Sequence, residues 1–180
     1  MAPVTIELPP QRAQTDFNLR RWVELLDDRE LARIEGRIET DRYGHIIMSP
    51  PPAPLHGRLQ LRIGSLLQRL LPEGECLTEC PISTADGVKA ADVAWASPQR
   101  MREMGNRVCF PRAPEICEEV LSPSNTHEEI NEKMQLYFDA EAKEVWVCSQ
   151  AGAMRFFEAT RSEIAKSKLC PKFSKRIRLR

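Results

Sequence analysis

Four of the five residues from Pro50 to Pro54 are proline, a run that neither a helix interior nor a central strand can carry. It divides the chain into stretches with different periodicities. Before it, GRIETDRYGHIIMSP reads as a strand, a polar turn from Asp41 to Gly44 and a second strand ending at Ser49, a β-hairpin. After it, Leu59, Ile63, Leu66, Leu67 and Leu70 recur at steps of three and four. That spacing predicts a helix from about His56 to Leu71, stopped by Pro72 and Gly74.

The flanking segments follow the same logic. Residues 1–15, with Pro3, Pro9 and Pro10, read as a flexible arm. From Asp16, the apolar residues Phe17, Trp22, Leu25, Leu26 and Leu31 predict an amphipathic helix capped by Thr15 or Asp16, with a break at Asp27-Asp28. Downstream, CLTECPIS and GVKAADVAW read as strands joined by a turn at Ala85 to Gly87, SPQRMREMGNRVCFPRA as a loop with one helical turn, and PEICEEVLS as a strand. Thr126 and Glu129 stand in capping-box relation ahead of a helix with Ile130, Met134, Tyr137 and Phe138 on one face. KEVWVCS and AMRFFEA are the last two strands. This order predicts an α/β (α+β) domain, a mixed sheet flanked by helices with an N-terminal helix and hairpin. One domain over residues 16–160 and a basic tail over 161–180 account for the length.

Composition narrows the function classes. Charged residues make up 29% of the chain and apolar ones 42%, as in ordinary globular domains, and no apolar run reaches the ~18 residues of a membrane helix. The start lacks a basic n-region followed by an apolar stretch, so the expected location is the cytoplasm. There the six cysteines stay as free thiols. Cys76 and Cys80, on one strand, lie about 13 Å apart at roughly 3.3 Å per residue, which argues against a shared zinc. The formal net charge is zero, yet the last twenty residues hold eight basic side chains against Glu163 alone. That tail either sits on phosphates or is simply solvated.

Two acids on strands stand out. Asp92 shares a face with Val88, Ala90 and Ala94, and Glu119 shares one with Cys117 and Leu121. A carboxylate among apolar neighbours is costly unless a cation or hydrogen-bond donors satisfy it. The competing reading puts either strand at an edge, its acid facing water. Two acids on adjacent strands would suit Mg²⁺, which takes oxygen ligands and activates water beside a phosphate. No HExxH or GxxxxGK[ST] pattern is present.

The strings RIETDRYGHIIMSPPPAPLHGRL, PISTADGVKAADVAW, PEICEEVLSPSN and EKMQLYFDAEAKEVWV resemble a large bacterial family of restriction endonucleases within the PD-(D/E)xK nuclease superfamily, over roughly Arg37 to Glu158. EVLSPSN is the most distinctive block, MSPPPAPLHG the next. The resemblance implies a restriction-endonuclease-like fold. It also implies hydrolysis of DNA phosphodiester bonds with Mg²⁺ or Mn²⁺, and action as a homodimer. Residue by residue, it makes Asp92 the motif aspartate and Glu119 the second acid, together holding the metal. Glu39 becomes a further acidic position and His56 a phosphate-binding histidine or a structural one. Glu118, one residue early on the opposite strand face, is not the matching acid.

Two departures accompany this likeness. Ala91 stands where the superfamily has proline before the aspartate, and Leu121 stands where its lysine follows the glutamate. Lys133 on the following helix is the matching replacement, although it is also placed to pair with Glu129 at i, i+4. Lys89 lies on the other strand face. The missing lysine and the neutral net charge leave a second reading open: a nuclease-like fold kept as a catalytically inactive module for nucleic-acid binding or protein assembly.

Overall fold

The computed structural model describes residues 11–179. Helix α1 (Gln11–Asp27) is followed by a short 3-10 turn (Leu31–Arg33) and the hairpin β1 (Arg37–Thr40) and β2 (Ile46–Ser49). Then come α2 (Pro54–Leu70), β3 (Glu75–Thr84), β4 (Gly87–Ala96), α3 (Pro98–Met104), β5 (Ile116–Val120), α4 (His127–Asp139), β6 (Glu144–Cys148), β7 (Met154–Glu158) and β8 (Glu163–Ile164). Strands β3 to β8 form one six-stranded sheet in sequence order, with the hairpin as a separate pair. All neighbours are antiparallel except β5 and β6. Parallel strands need a long crossover, and α4 supplies it.

Three expectations shift. Helix α1 begins no later than Gln11, so Thr15 and Asp16 lie inside it rather than capping it. Residues 11–15 of the expected arm are therefore helical, and residues 1–10 fall outside the described residues. The buried stripe of α1 is Gln14, Asn18, Trp22 and Leu25, half of it polar, while Leu26 is exposed. Asn18 explains why: its amide donates to Ser83, to Thr84 O and to Gly87 O, tying α1 to the β3–β4 turn. Helix α2 starts at Pro54, because the first helical position needs no backbone N–H and favours proline's fixed φ.

The third shift concerns the C-terminus. Cys170, Phe173 and Ile177 are buried in the core between α2 and the sheet, and Ile177 N donates to Gly152 O. Residues 161–179 thus pack as part of the domain, with Lys166, Lys168, Lys172, Lys175, Arg176 and Arg178 pointing outward.

Each face of the sheet has its own core. Helix α4 packs Ile130, Met134, Tyr137 and Phe138 over Ala94, Cys117, Val145 and Val147. Helix α2 and the C-terminal segment cover Val93, Trp95, Ile116, Val120 and Trp146 on the other side. The hairpin lies along the first half of β4, where Thr40 Oγ1 accepts from Val88 N. That seat requires Gly87, since a Cβ there would come within 2.3–2.4 Å of the Asp41 and Thr40 carbonyl oxygens. All six cysteines are free, and no helix among the described residues is long and apolar enough to cross a membrane.

Candidate active site

Strand β4 is buried along its whole length, which rules out the edge position for Asp92. β4 and β5 pair antiparallel as far as Val93 opposite Glu118, so Asp92 and Glu119 stand just past the last paired rung, Asp92 met by β1 and α2 and Glu119 by α4. Asp92 is 1% exposed. Its Oδ1 lies 2.6 Å from Arg37 Nη1 and 3.2 Å from His56 Nε2, and its Oδ2 accepts from Val120 N at 2.7 Å. Burial alone would raise its pKa; the His56 contact, the Arg37 charge and the Val120 amide outweigh that and hold the carboxyl below its usual range.

Glu119 accepts from Tyr137 Oη at 2.6 Å and from Lys133 Nζ at 3.2–3.3 Å. Burial dominates here and, with the like charge of Asp92, pushes its pKa up to about 7 against the pull of Lys133 and Arg37. Glu39 accepts from Ala90 N at 2.9 Å and pairs with Lys133 at 2.9 Å. Its carboxyl is held low, since Lys133, Arg37 and the Ala90 amide outweigh its burial. Burial works against the Lys133 charge, but Glu119 and Glu39 raise its pKa, so it remains an ammonium. Its third donor goes to Ala90 O at 3.2 Å.

Hairpin, sheet and helix α4 therefore bring Asp92, Glu119, Glu39 and Lys133 into one network, and α2 adds His56. Glu129 is not the partner of Lys133: its carboxylate accepts from Thr126 N and closes the capping box. Lys89 donates to Thr40 O and pairs with Asp86, a structural tie away from the acids.

Four residues of the network escaped the sequence reading. Arg37 lies 3.3 Å from Glu79 and 3.8 Å from Glu39 besides its contact with Asp92. Gln60 Nε2 donates to Asp92 O at 2.6 Å and to Glu79 at 2.7 Å. Tyr137 is the third. The fourth, Glu79, takes a left-handed backbone (φ 49°) on β3 between the paired rungs Thr78–Val93 and Cys80–Ala91, opposite Asp92. A non-glycine residue held there is strained, a feature that concentrates at functional sites. Each of the four sits one structural period from an expected residue: Arg37 two before Glu39, Gln60 four after His56, Tyr137 four after Lys133, and Glu79 across the ladder from Asp92.

One ligand atom each from His56, Glu79 and Asp92 lies within 4.8 Å of the others. Carboxylate oxygens with one imidazole nitrogen are a donor set that suits a divalent cation such as Mn²⁺.

The fold is a mixed α+β domain, a six-stranded sheet flanked by helices with an N-terminal helix and hairpin. A solved protein described as a "putative nuclease belonging to DUF820" from Anabaena variabilis superposes with a TM-score of 0.62 at 17% identity, covering 75% of this chain and 80% of that one. Among curated proteins no sequence matches this one. Residues 24–168 match the family described as "Uma2: Putative restriction endonuclease", and the chain belongs to that family.

Proposed function

We propose that the protein is a metal-dependent endonuclease that hydrolyses DNA phosphodiester bonds. The observation that supports it is one ion-pair network in which Arg37 links Asp92 to Glu39 and Lys133 links Glu39 to Glu119, with His56 beside Asp92. Asp92 and Glu119 would hold Mg²⁺ or Mn²⁺, with His56 and Glu79 beside Asp92. Such an ion supplies a water nucleophile at neutral pH and polarises a phosphoryl oxygen.

The chain's own residues do the rest. Lys133 stays charged, so its part is to position Glu119 and Glu39 and to stabilise negative charge growing on the phosphorus centre, not to abstract a proton. Tyr137 fixes the orientation of Glu119 from within the core. His56, whose pKa is raised chiefly by its contact with Asp92, sits at the N-terminal end of α2, where a phosphate is favoured. Cutting both strands of a duplex takes two such sites, so a symmetric pair of chains is the expected form on DNA; sedimentation with and without duplex measures it.

Plasmid nicking tests the reading. With Mg²⁺ or Mn²⁺ the wild type should nick supercoiled DNA, chelator should stop it, and Asp92→Ala should abolish it. Equal rates for wild type and Asp92→Ala end the proposal. The alternative, an inactive binding or assembly module, is favoured by Leu121 in place of the lysine, and it expects titrated Mn²⁺ to leave the melting temperature unchanged.

A further inference from the structure

The unsatisfied atoms of this site are donors, although the site is crowded with acids. Arg37 Nε and Nη2 are buried without a hydrogen-bond partner. Arg37 is held by β1 with 18% of its side chain exposed, and its guanidinium lies among Asp92, Glu79 and Glu39 at 2.6, 3.3 and 3.8 Å. Only the Nη1 contact to Asp92 has hydrogen-bond geometry. Its charge is secure: burial opposes it, but Glu119, Asp92, Glu39 and Glu79 together raise its pKa further.

Two consequences follow from elementary chemistry. A guanidinium on Asp92 Oδ1 and a divalent cation on the same carboxylate repel each other strongly at such separations, so they compete. A buried guanidinium whose Nε and Nη2 lack hydrogen-bond partners also matches an acceptor with paired oxygens, and a phosphodiester presents two non-bridging oxygens in that fork geometry.

Building on the nuclease reading, we infer that Arg37 is a further catalytic residue with two positions. In the free protein it is parked on Asp92 in place of the metal ion. When the ion takes Asp92, Arg37 releases the carboxylate and its idle donors grip the scissile phosphate. The ligand it awaits is therefore a phosphodiester, and the parked state sets a threshold for metal binding. Position 37 carries this role through its place on β1, two residues from Glu39 on the same strand face.

Arg37→Met separates the two positions by moving two measurements in opposite directions. Calorimetric titration of Mn²⁺ should show binding about tenfold tighter than wild type, because the competing charge is gone. Plasmid nicking at saturating Mn²⁺ should nevertheless slow by about tenfold or more, because the phosphate has lost its fork. A merely damaged fold weakens metal binding, so the gain is diagnostic. Arg37→Lys, which keeps the charge without the fork, should bind Mn²⁺ as wild type does and still nick slowly. Should Arg37→Met melt far below wild type, Arg37→Gln is read in its place. Unchanged or weaker Mn²⁺ binding, or undiminished nicking, overturns the inference. A wild type that neither binds Mn²⁺ nor nicks DNA overturns the nuclease reading itself, whereas a wild type that does both beside an indistinguishable Arg37→Met overturns Arg37 alone.

Discussion

Glu118 and Glu119 are consecutive residues of one strand and face opposite sides of the sheet. On the α4 side, Glu119 has the Tyr137 hydroxyl and the Lys133 ammonium. On the α2 side, Glu118 is equally buried, and neither of its carboxyl oxygens has a hydrogen-bond partner among the described residues. Its surroundings are Val93, Val120, Trp146 and Cys148, a packed apolar layer. Burial first, then the charges of Asp92 and Glu119 through the sheet, raise its pKa well above the usual carboxylate range, so Glu118 sits in the core as a neutral acid. Two identical side chains, 1% and 4% exposed, thus carry opposite meanings. Glu119 is met by an ammonium and a hydroxyl; Glu118, without either, is only tolerated.

Exchanging each acid for its neutral amide should split these meanings most widely in activity. Glu119→Gln should lower plasmid nicking by about a hundredfold or more, the loss that follows removal of one key electrostatic group. Glu118→Gln should nick at the wild-type rate. Comparable losses in both variants would mean that the two faces act together and that the contrast drawn between them is false.

Removing the cation tests the same contrast through stability. Lys133→Met strands Glu119 and Glu39, both largely buried, and should cost about 3 kcal/mol in chemical denaturation at pH 8. Glu119, already raised to about 7, then loses the cation that pulls it down, so the folded variant takes up protons more readily and its deficit should shrink toward pH 5. Lys172→Met, on the exposed surface of the C-terminal segment, should change stability by less than about 0.5 kcal/mol. A deficit for Lys133→Met that ignores pH would show that packing of the lysine stem, not its charge, holds α4 on the sheet.

The strands, the hairpin, α2 and α4 were legible in the sequence because each carries its own period and its own stop signal. Asp92, Glu119, Glu39, His56 and Lys133 were expected from the family blocks, and Arg37 links them in one ion-pair network. Glu79, Arg37 and Gln60 were not, since their roles arise from register between strands and from a helix crossing a sheet, which no local pattern encodes. The start of α1 was hidden for a related reason. Its buried face is held by Asn18 reaching the β3–β4 turn, and a polar residue on a helix reads as a surface position until its distant partner is placed. Charge misled at the C-terminus: alternating basic residues masked Phe173 and Ile177, which do the packing.

The last test isolates the orphan acid. In the folded protein Glu118 keeps its proton above the pH, near 4.5, at which the unfolded chain releases it. The native state therefore binds more protons than the unfolded state throughout that window, and stability must fall as pH rises, by up to about 1.4 kcal/mol for each pH unit over which Glu118 stays protonated. Glutamine has the same shape, is neutral at every pH, and is no better satisfied in that layer. Glu118→Gln should accordingly match wild type near pH 4.5 and become progressively more stable than it toward pH 8, with a flatter profile of melting temperature against pH. Parallel profiles for the two proteins would show that Glu118 finds a counter-charge in solution, and the two faces of β5 would then differ in packing alone.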